Sequence, residues 1–263
     1  MTYTLSQAML YLAKTLGGVE EGVATGGSTS YLIDTNRREQ AEYWAGGTLF
    51  CLSGSNAGSV DIVRQYDEAG KIYVDTKTSA FTAGNRYALA PPKFPKHKLR
   101  MAINNALISV RVLSVDDTLT TEADKEVYVL PAGVRNILRV EIASNISEPY
   151  HYRMSYGWYE IDGNLCFRAD VMPRTDGYPI KITYLSPHSE VINDDDKISD
   201  GVNIDWLRWS SAVWAYRDLI SEEGKDNQAD IELMNEAIKQ EMIERERMQG
   251  SWNNFITKTC VLG

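Results

Sequence analysis

The feature that most constrains this chain is a pair of helical segments in its last third. The first follows Asn203 or Asp205, either of which can cap a helix, and its apolar residues repeat at helical intervals: Trp206, Trp209, Val213, Trp214, Tyr216 and Ile220. The second, residues 226–249, carries a stripe of Ile231, Met234, Ile238 and Met242. Apolar stripes of this kind are buried against other elements. We therefore expect the pair to belong to a helical bundle.

Two earlier segments have the same period and can complete the bundle. Thr4 and Gln7 have the spacing of a capping box, and Gly17 follows the last apolar residue of that segment. Pro95 can occupy the first turn of another helix, whose stripe is Leu99, Ile103, Ala106, Leu107 and Val110. The sequence thus predicts about four helices.

Two β-rich regions separate these helical segments. The first contains five short strand-like runs divided by turns such as Asn56-Ala57-Gly58, a spacing typical of a small barrel or sandwich. In the second, Asp162-Gly163 lies between two β-prone runs, which is a strong hairpin signal. We expect an α+β fold, a small helical bundle interrupted by two β modules and followed by an extended C-terminal arm. Its parts are a helical core (1–18, 93–115, 200–249), β modules (19–92 and 116–199) and the arm (250–263).

Composition and motifs argue against several kinds of chemistry. The net charge of −9 disfavours broad binding to phosphates, which requires lysine and arginine. The aspartates 194, 196 and 200 lack the spacing of an EF-hand loop, which leaves a different kind of cation site open. The histidines and three cysteines lack metal-ligand spacing, and neither a P-loop nor a nucleophile elbow occurs. A pair of carboxylates for glycoside hydrolysis stays open, because their separation is a three-dimensional quantity. We expect no enzyme and no catalytic, cofactor or metal residues.

A basic cluster contrasts with the acidic chain. Lys96, Lys98 and Arg100 lie at the start of a predicted helix, where the helix dipole disfavours positive charge. The cluster either faces water or contacts an acidic neighbour such as an adjacent copy. We predict an interface with a partner or with another subunit from seven residues: Lys96, Lys98, Arg100, Arg245, Arg247, Trp252 and Phe255.

The order of several motifs resembles a known protein family. Residues 22–34, 43–50, 57–58 and 62–67 resemble a β module of tailed-phage virion proteins, and the run 99–107 resembles the helix that follows it. The runs 127–134, 137–141, 158–163, 182–187 and 194–198 then succeed one another as in the head-to-tail adaptor (connector or neck) proteins of tailed bacteriophages. The resemblance covers roughly residues 22–220.

The resemblance implies a structural role in the virion. Adaptors of this family form a homo-oligomeric ring, a dodecamer, beneath the portal protein, and they join it to a tail or nozzle protein. Their C-terminal segments commonly reach the portal, and DNA passes through the ring without specific binding. The resemblance thus implies that the seven interface residues contact the portal or another subunit. We therefore expect a protein of the head–tail junction, made in the bacterial cytoplasm, with no membrane partner. Another virion part with the same β module, such as a decoration or tail protein, is the alternative, and a carbohydrate-active enzyme is a third.

Overall fold

The chain folds as two compact units, each with its own sheets. The computed structural model describes residues 2–223 and 227–261, with only the backbone described for 223 and 248–261. The first unit combines Met1–Ile108 with Ser189–Gly263, and the second is Ser109–His188. None of the helices in the described residues is long and apolar enough to cross a membrane.

The first unit contains every helix of the described chain. These are α1 (Leu5–Leu16), α2 (Lys96–Ile108), α3 (Ile204–Glu223) and α4 (Gln228–Val261). The capping box predicted at Thr4 and Gln7 is confirmed at the start of α1. Asn203 caps α3, because its Oδ1 accepts hydrogen bonds from the backbone N–H groups of Asp205 and Trp206. Helices α1, α2 and α3 contact one another, and α4 packs on α3.

The first unit also contains ten strands in antiparallel sheets. They are β1 (Tyr3–Thr4), β2 (Glu20–Val23), β3 (Gly26–Gly27), β4 (Tyr31–Ile33), β5 (Thr48–Cys51), β6 (Val60–Ile62), β7 (Gln65–Tyr66), β8 (Lys71–Tyr73), β9 (Arg86–Ala90) and β17 (Lys197–Ile198). One four-stranded sheet has the order β2-β9-β5-β6 and another has the order β3-β4-β8-β7. A third, two-stranded sheet pairs β1 with β17.

The two four-stranded sheets of this unit share one apolar core. Its members come from strands of both sheets and from the segments that join them: Ala24, Leu32, Trp44, Leu49, Cys51, Val63, Tyr66, Ile72, Val74, Phe81, Tyr87 and Leu89. The sequence predicts a single strand over residues 60–66, but the structure divides it into β6 and β7, which belong to different sheets. The division occurs because Val63 donates to the carbonyl of Gly47, whereas Arg64 donates to that of Tyr73.

The second unit is built from seven strands. They are β10 (Arg111–Thr120), β11 (Val127–Val129), β12 (Ile137–Ala143), β13 (Tyr152–Met154), β14 (Trp158–Ile161), β15 (Asn164–Phe167) and β16 (Pro179–Pro187). They form sheets of order β10-β16-β12-β13 and β11-β15-β14. Buried residues of both sheets pack together in one core: Tyr128, Leu130, Val134, Val140, Leu165, Phe167, Ile180 and Ile182. The hairpin predicted at Asp162-Gly163 is confirmed between β14 and β15.

The predicted fold class is wrong. The structure is mostly β, with seventeen strands in five antiparallel sheets and only four helices across the described residues. Two apolar cores lie between sheets, and further buried apolar residues lie on α1, α2 and α3. The helices do touch one another, but they do not form the helical bundle expected to organise the fold. The domain limits that we drew from the sequence stay a prediction.

Helix α4 differs from expectation in two respects. Its buried positions in the described part are Asp230, Ala237 and Glu244, whereas Met242 of the predicted apolar stripe is 56% exposed. The polar side of α4 that carries Glu241 faces α3, since the carboxylate of Glu241 accepts a 2.7 Å hydrogen bond from the indole N–H of Trp206. Secondly, the helix continues to Val261, so the backbone of the expected extended arm is helical over residues 250–261.

Candidate functional site

A buried charged cluster lies beside the two four-stranded sheets of the first unit. We call it the Arg37 cluster, and it consists of Asp34, Arg37, Glu39, Tyr66 and Tyr87. Arg37 is only 7% exposed, which is unusual for an arginine unless its charge is paired. Tyr66 and Tyr87 come from β7 and β9, whereas the charged members lie in the segment between β4 and β5. The folding of both sheets is therefore needed to assemble the cluster.

Hydrogen bonds connect all five members. Arg37 Nε donates to the Tyr87 hydroxyl at 2.6 Å, and Nη1 donates to Glu39 at 2.6 Å. The Tyr87 hydroxyl in turn donates to Asp34 at 2.7 Å, and the Tyr66 hydroxyl donates to Glu39 at 2.6 Å. The guanidinium carbon also lies 5.3 Å from the ring centroid of Tyr87, within the range of a cation–π contact.

The surroundings of Glu39, Tyr66 and Tyr87 shift the pKa values of these three groups. Burial alone would raise the pKa of Glu39, but hydrogen bonds from Tyr66, the backbone and Arg37 lower it to about 2. Burial and the carboxylate of Glu39 raise the pKa of Tyr66, while burial and Asp34 raise that of Tyr87. Glu39 is thus ionised and both tyrosines are protonated at neutral pH. A general acid or base needs a pKa near the working pH, so these groups are suited to structure and not to proton transfer.

An open depression of about 460 Å³ lies against this cluster. Its lining is polar and charged: Glu20, Glu21, Asp34, Asn36, Arg37, Arg38 and Glu39. The lining residues include no serine, threonine, cysteine or histidine, so it offers no side chain for nucleophilic catalysis by those groups. The carboxylates of Glu20 and Glu39 are already engaged by Arg37. Throughout the described residues, no group of three or more histidine, cysteine or acidic side chains could hold a metal ion.

The acidic turn singled out in the sequence joins distant parts of the first unit. One carboxylate oxygen of Asp194 accepts a 2.8 Å hydrogen bond from the backbone N–H of Val60, and the other pairs with Lys96 at 2.8 Å. The carbonyls of Asp194 and Asp196 accept from the first backbone N–H groups of α1. The turn therefore connects α1, β6 and α2, and this role was not evident from the sequence.

The predicted interface lysines and Arg100 have partners within the same chain. Lys96 binds Asp194, and Lys98 contacts the carboxylates of Asp218 and Glu222 on α3. A guanidinium nitrogen of Arg100 lies 3.4 Å from the carbonyl oxygen of Ile192. The acidic neighbours considered for this basic cluster thus exist inside the chain, and they balance the charge at the start of α2. A role of these residues in an interface stays a prediction.

The remaining predicted interface residues belong to α4. Arg245 pairs with Glu241 at 2.6 Å and Arg247 pairs with Glu244, which confirms the i,i+4 and i,i+3 pairs expected from their spacing. The side chains of Trp252 and Phe255 lie outside the described part of the structure. The five predicted residues with described side chains lie on α2 and α4, and the interface stays a prediction.

The exposed apolar side chains are concentrated elsewhere, in the second unit. Nine of the eighteen large hydrophobic residues that are exposed in the described chain belong to it: Leu113, Val115, Val127, Val129, Leu138, Ile146, Tyr156, Tyr159 and Ile161. This unit spans Ser109–His188, less than a third of the chain. Exposed apolar residues that are grouped, not scattered, are typical of surfaces that bind other proteins.

Four of these residues form one surface on the three-stranded sheet. The register places Val127 and Tyr159 on either side of Cys166, and Val129 and Ile161 on either side of Asn164. Directly paired residues point to the same side of a sheet, so Val127, Val129, Tyr159 and Ile161 share a side. We call this side the outer face, since Tyr128 and Leu165 of the same strands point into the core. The alternation of 127–129 predicts a strand, but it does not tell which side is covered.

The sequence matches no protein-family model, and no curated protein matches it at a significant level.

Proposed function

We propose that this chain is a structural protein of a tailed-phage virion, a head-to-tail adaptor that forms a ring between the portal and the tail. The observation that carries the proposal is the concentration of exposed apolar side chains in the second unit, half of those in the described chain. A protein whose work is assembly needs such surfaces. The succession of motifs described above supports the particular choice of an adaptor.

The Arg37 cluster supports a structural role over a catalytic one. The carboxylate of Glu39 and the hydroxyls of Tyr66 and Tyr87 have pKa values displaced away from neutrality, and Arg37 is held by several partners. Buried networks of this type fix the conformation of a β module. For passage of DNA, the net charge of −9 is the favourable feature, because an acidic ring repels the phosphate backbone.

Native mass spectrometry of the purified protein, alone and with portal protein, tests the proposal. An adaptor gives ring-sized homo-oligomers, with or without a requirement for portal, and a complex with portal. A decoration or tail protein binds capsid or tail components and shows no affinity for portal. A monomer that neither oligomerises nor binds any of these components would contradict a structural role in the virion.

The C-terminal segment 250–263 allows a more specific test. By analogy with the family, we propose that it contacts the portal. Its deletion is then expected to abolish portal binding while leaving the thermal unfolding of the sheets unchanged, because the apolar cores lie far from it in sequence. Unchanged portal binding after deletion would refute this role of the segment.

A further inference from the structure

Strand β11 is an open edge of the second unit. The three-stranded sheet has the order β11-β15-β14, and β11 pairs only with β15 among the described strands. Leu130 N–H donates to the carbonyl of Gly163, and Phe167 N–H donates to the carbonyl of Glu126, so the pairing extends by one residue at each end. In an antiparallel pair, alternate residues direct their backbone groups towards the partner. With Glu126 and Leu130 bonded inwards, Val127 and Val129 direct their N–H and C=O groups outwards.

This edge lacks the protection that the other edges of the unit carry. An unpaired edge is normally blunted by charged residues, because its free backbone groups invite another chain. Within Ser109–His188, all of which the structure describes, the other edge strands contain charges: Arg153 in β13, Glu160 in β14, and Arg111, Asp116 and Asp117 in β10. The carboxylate of Glu160 also accepts a hydrogen bond from the N–H of Ile137. Strand β11 itself is Val-Tyr-Val and contains none, and the nearest charged residues, Lys125 and Glu126, directly precede it.

The side chains beside this edge are apolar and accessible. Val127 and Val129 are 48% and 75% exposed, and Tyr159 and Ile161 on the same side are 51% and 52% exposed, whereas Cys166 between Val127 and Tyr159 is buried. These four side chains expose roughly 400 Å² of apolar surface, within the range of the largest apolar patches on monomeric proteins. Two copies packed through it would bury roughly 800 Å² in total, short of the roughly 1,200 Å² at the lower end of specific interfaces. The face is therefore too small for a stable dimer of this chain by itself.

An extended segment suits the same surface better. A strand added to an edge gains main-chain hydrogen bonds, which a flat apolar contact lacks, and its alternate side chains lie on one side of the sheet. We propose that β11 takes up an extended segment of a different protein, with apolar side chains at alternate positions, as the fourth strand of this sheet. Those side chains cover the outer face next to Val127 and Val129. The inference rests on the proposal that the second unit serves assembly, and it assigns the binding of a partner to strand β11.

The test uses the full chain and a soluble probe. The probe is a short synthetic peptide in which valine alternates with threonine between terminal lysines, and hydrogen exchange is read at single amides. At saturating peptide, the amides of Val127 and Val129 are expected to exchange at least about tenfold more slowly, because a new partner accepts from them. The amides of β14 keep their rates. Protection on β14, or no protection anywhere, would overturn the proposal.

Matched controls separate strand addition from nonspecific apolar contact. The same peptide with an N-methyl group on every residue keeps its side chains, but both of its edges are blocked for strand pairing, and it is expected to give no protection. Val129→Lys places a charge on the edge and is expected to weaken peptide binding by about tenfold or more, whereas Ile161→Lys at the opposite edge leaves the protection of Val127 intact. Protection by the methylated peptide, or self-association of the chain through β11 that Val129→Lys abolishes, would refute the proposed occupant. Since this test needs no portal, its failure leaves ring formation with portal untouched.

Discussion

The ionised carboxylate of Glu39 anchors the Arg37 cluster, and the variant Glu39→Gln tests this directly. The side chain is 21% exposed and accepts hydrogen bonds from Arg37 and Tyr66. Glutamine keeps an accepting oxygen but loses the charge. If the whole shift of the pKa of Glu39 from 4.5 to about 2 acted on stability, it would contribute roughly 3 kcal/mol to the unfolding free energy. Because solvent screens a partly exposed group, we expect the variant to lose about 1–2 kcal/mol of unfolding free energy at neutral pH.

The loss has a characteristic pH dependence. The folded-state pKa of Glu39 lies below its ordinary value, so its contribution is fully present above a pH of about 4.5 and disappears as the pH falls towards about 2. The difference in unfolding free energy between the wild type and Glu39→Gln is therefore expected to be constant from pH 5 to pH 7 and to shrink through the window below. Chemical unfolding followed by tryptophan fluorescence measures it at each pH.

Glu68→Gln provides the matched control. Glu68 is an exposed carboxylate in the turn between β7 and β8, and its replacement is expected to change stability by less than about 0.5 kcal/mol at any pH. A loss in Glu39→Gln that is the same at pH 3 and pH 7 would show that the ionised carboxylate is not what holds the cluster. Equal losses in the two variants would lead to the same conclusion.

Two further substitutions test other contacts of the first unit. Asp194→Asn is expected to lower the unfolding free energy by about 1–2 kcal/mol in chemical unfolding, because it removes the charge that pairs with Lys96. Asp195→Asn, on the exposed side of the same turn, is expected to be nearly neutral. Equal effects of the two substitutions would contradict the role of the turn in joining α1, β6 and α2. Gly22→Ala places a Cβ 2.5 Å from the hydroxyl oxygen of Tyr87, which Asp34 and Arg37 hold in place, so a loss of about 1–3 kcal/mol is expected. Gly26→Ala meets no atom within 4 Å and serves as its control, and a loss there as large as at Gly22 would argue against the steric explanation.

Local signals in the sequence predicted several elements correctly. The capping box at Thr4 and the hairpin at Asp162-Gly163 depend on residues close together in the chain, and both are confirmed. The fold class was wrong because helical stripes are visible locally, whereas a sheet order such as β2-β9-β5-β6 depends on partners far apart in sequence. Nothing in a single sequence tells that β9 lies between β2 and β5.

The candidate sites were hidden for a similar reason. Arg37 stands in the run Asn-Arg-Arg-Glu, which is typical of an exposed loop, and its partner Tyr87 is fifty residues away. Asp194 suggested a cation site, but its partners are the backbone of Val60 and the side chain of Lys96, and neither follows from the spacing of the aspartates. The apolar outer face could have been suspected from the valines of β11, because Val127 and Val129 alternate with a tyrosine. Their exposure becomes evident only once the core on the opposite side is known.

The central claim is that this chain assembles as a ring at the portal. Electron microscopy of the purified protein mixed with portal protein tests it most directly, because class averages show both the stoichiometry and the position of the added subunits. The proposal predicts a closed ring, coaxial with the portal, that is absent when portal is mixed with an unrelated acidic protein. Portal particles that stay bare at saturating concentrations of this protein would contradict it.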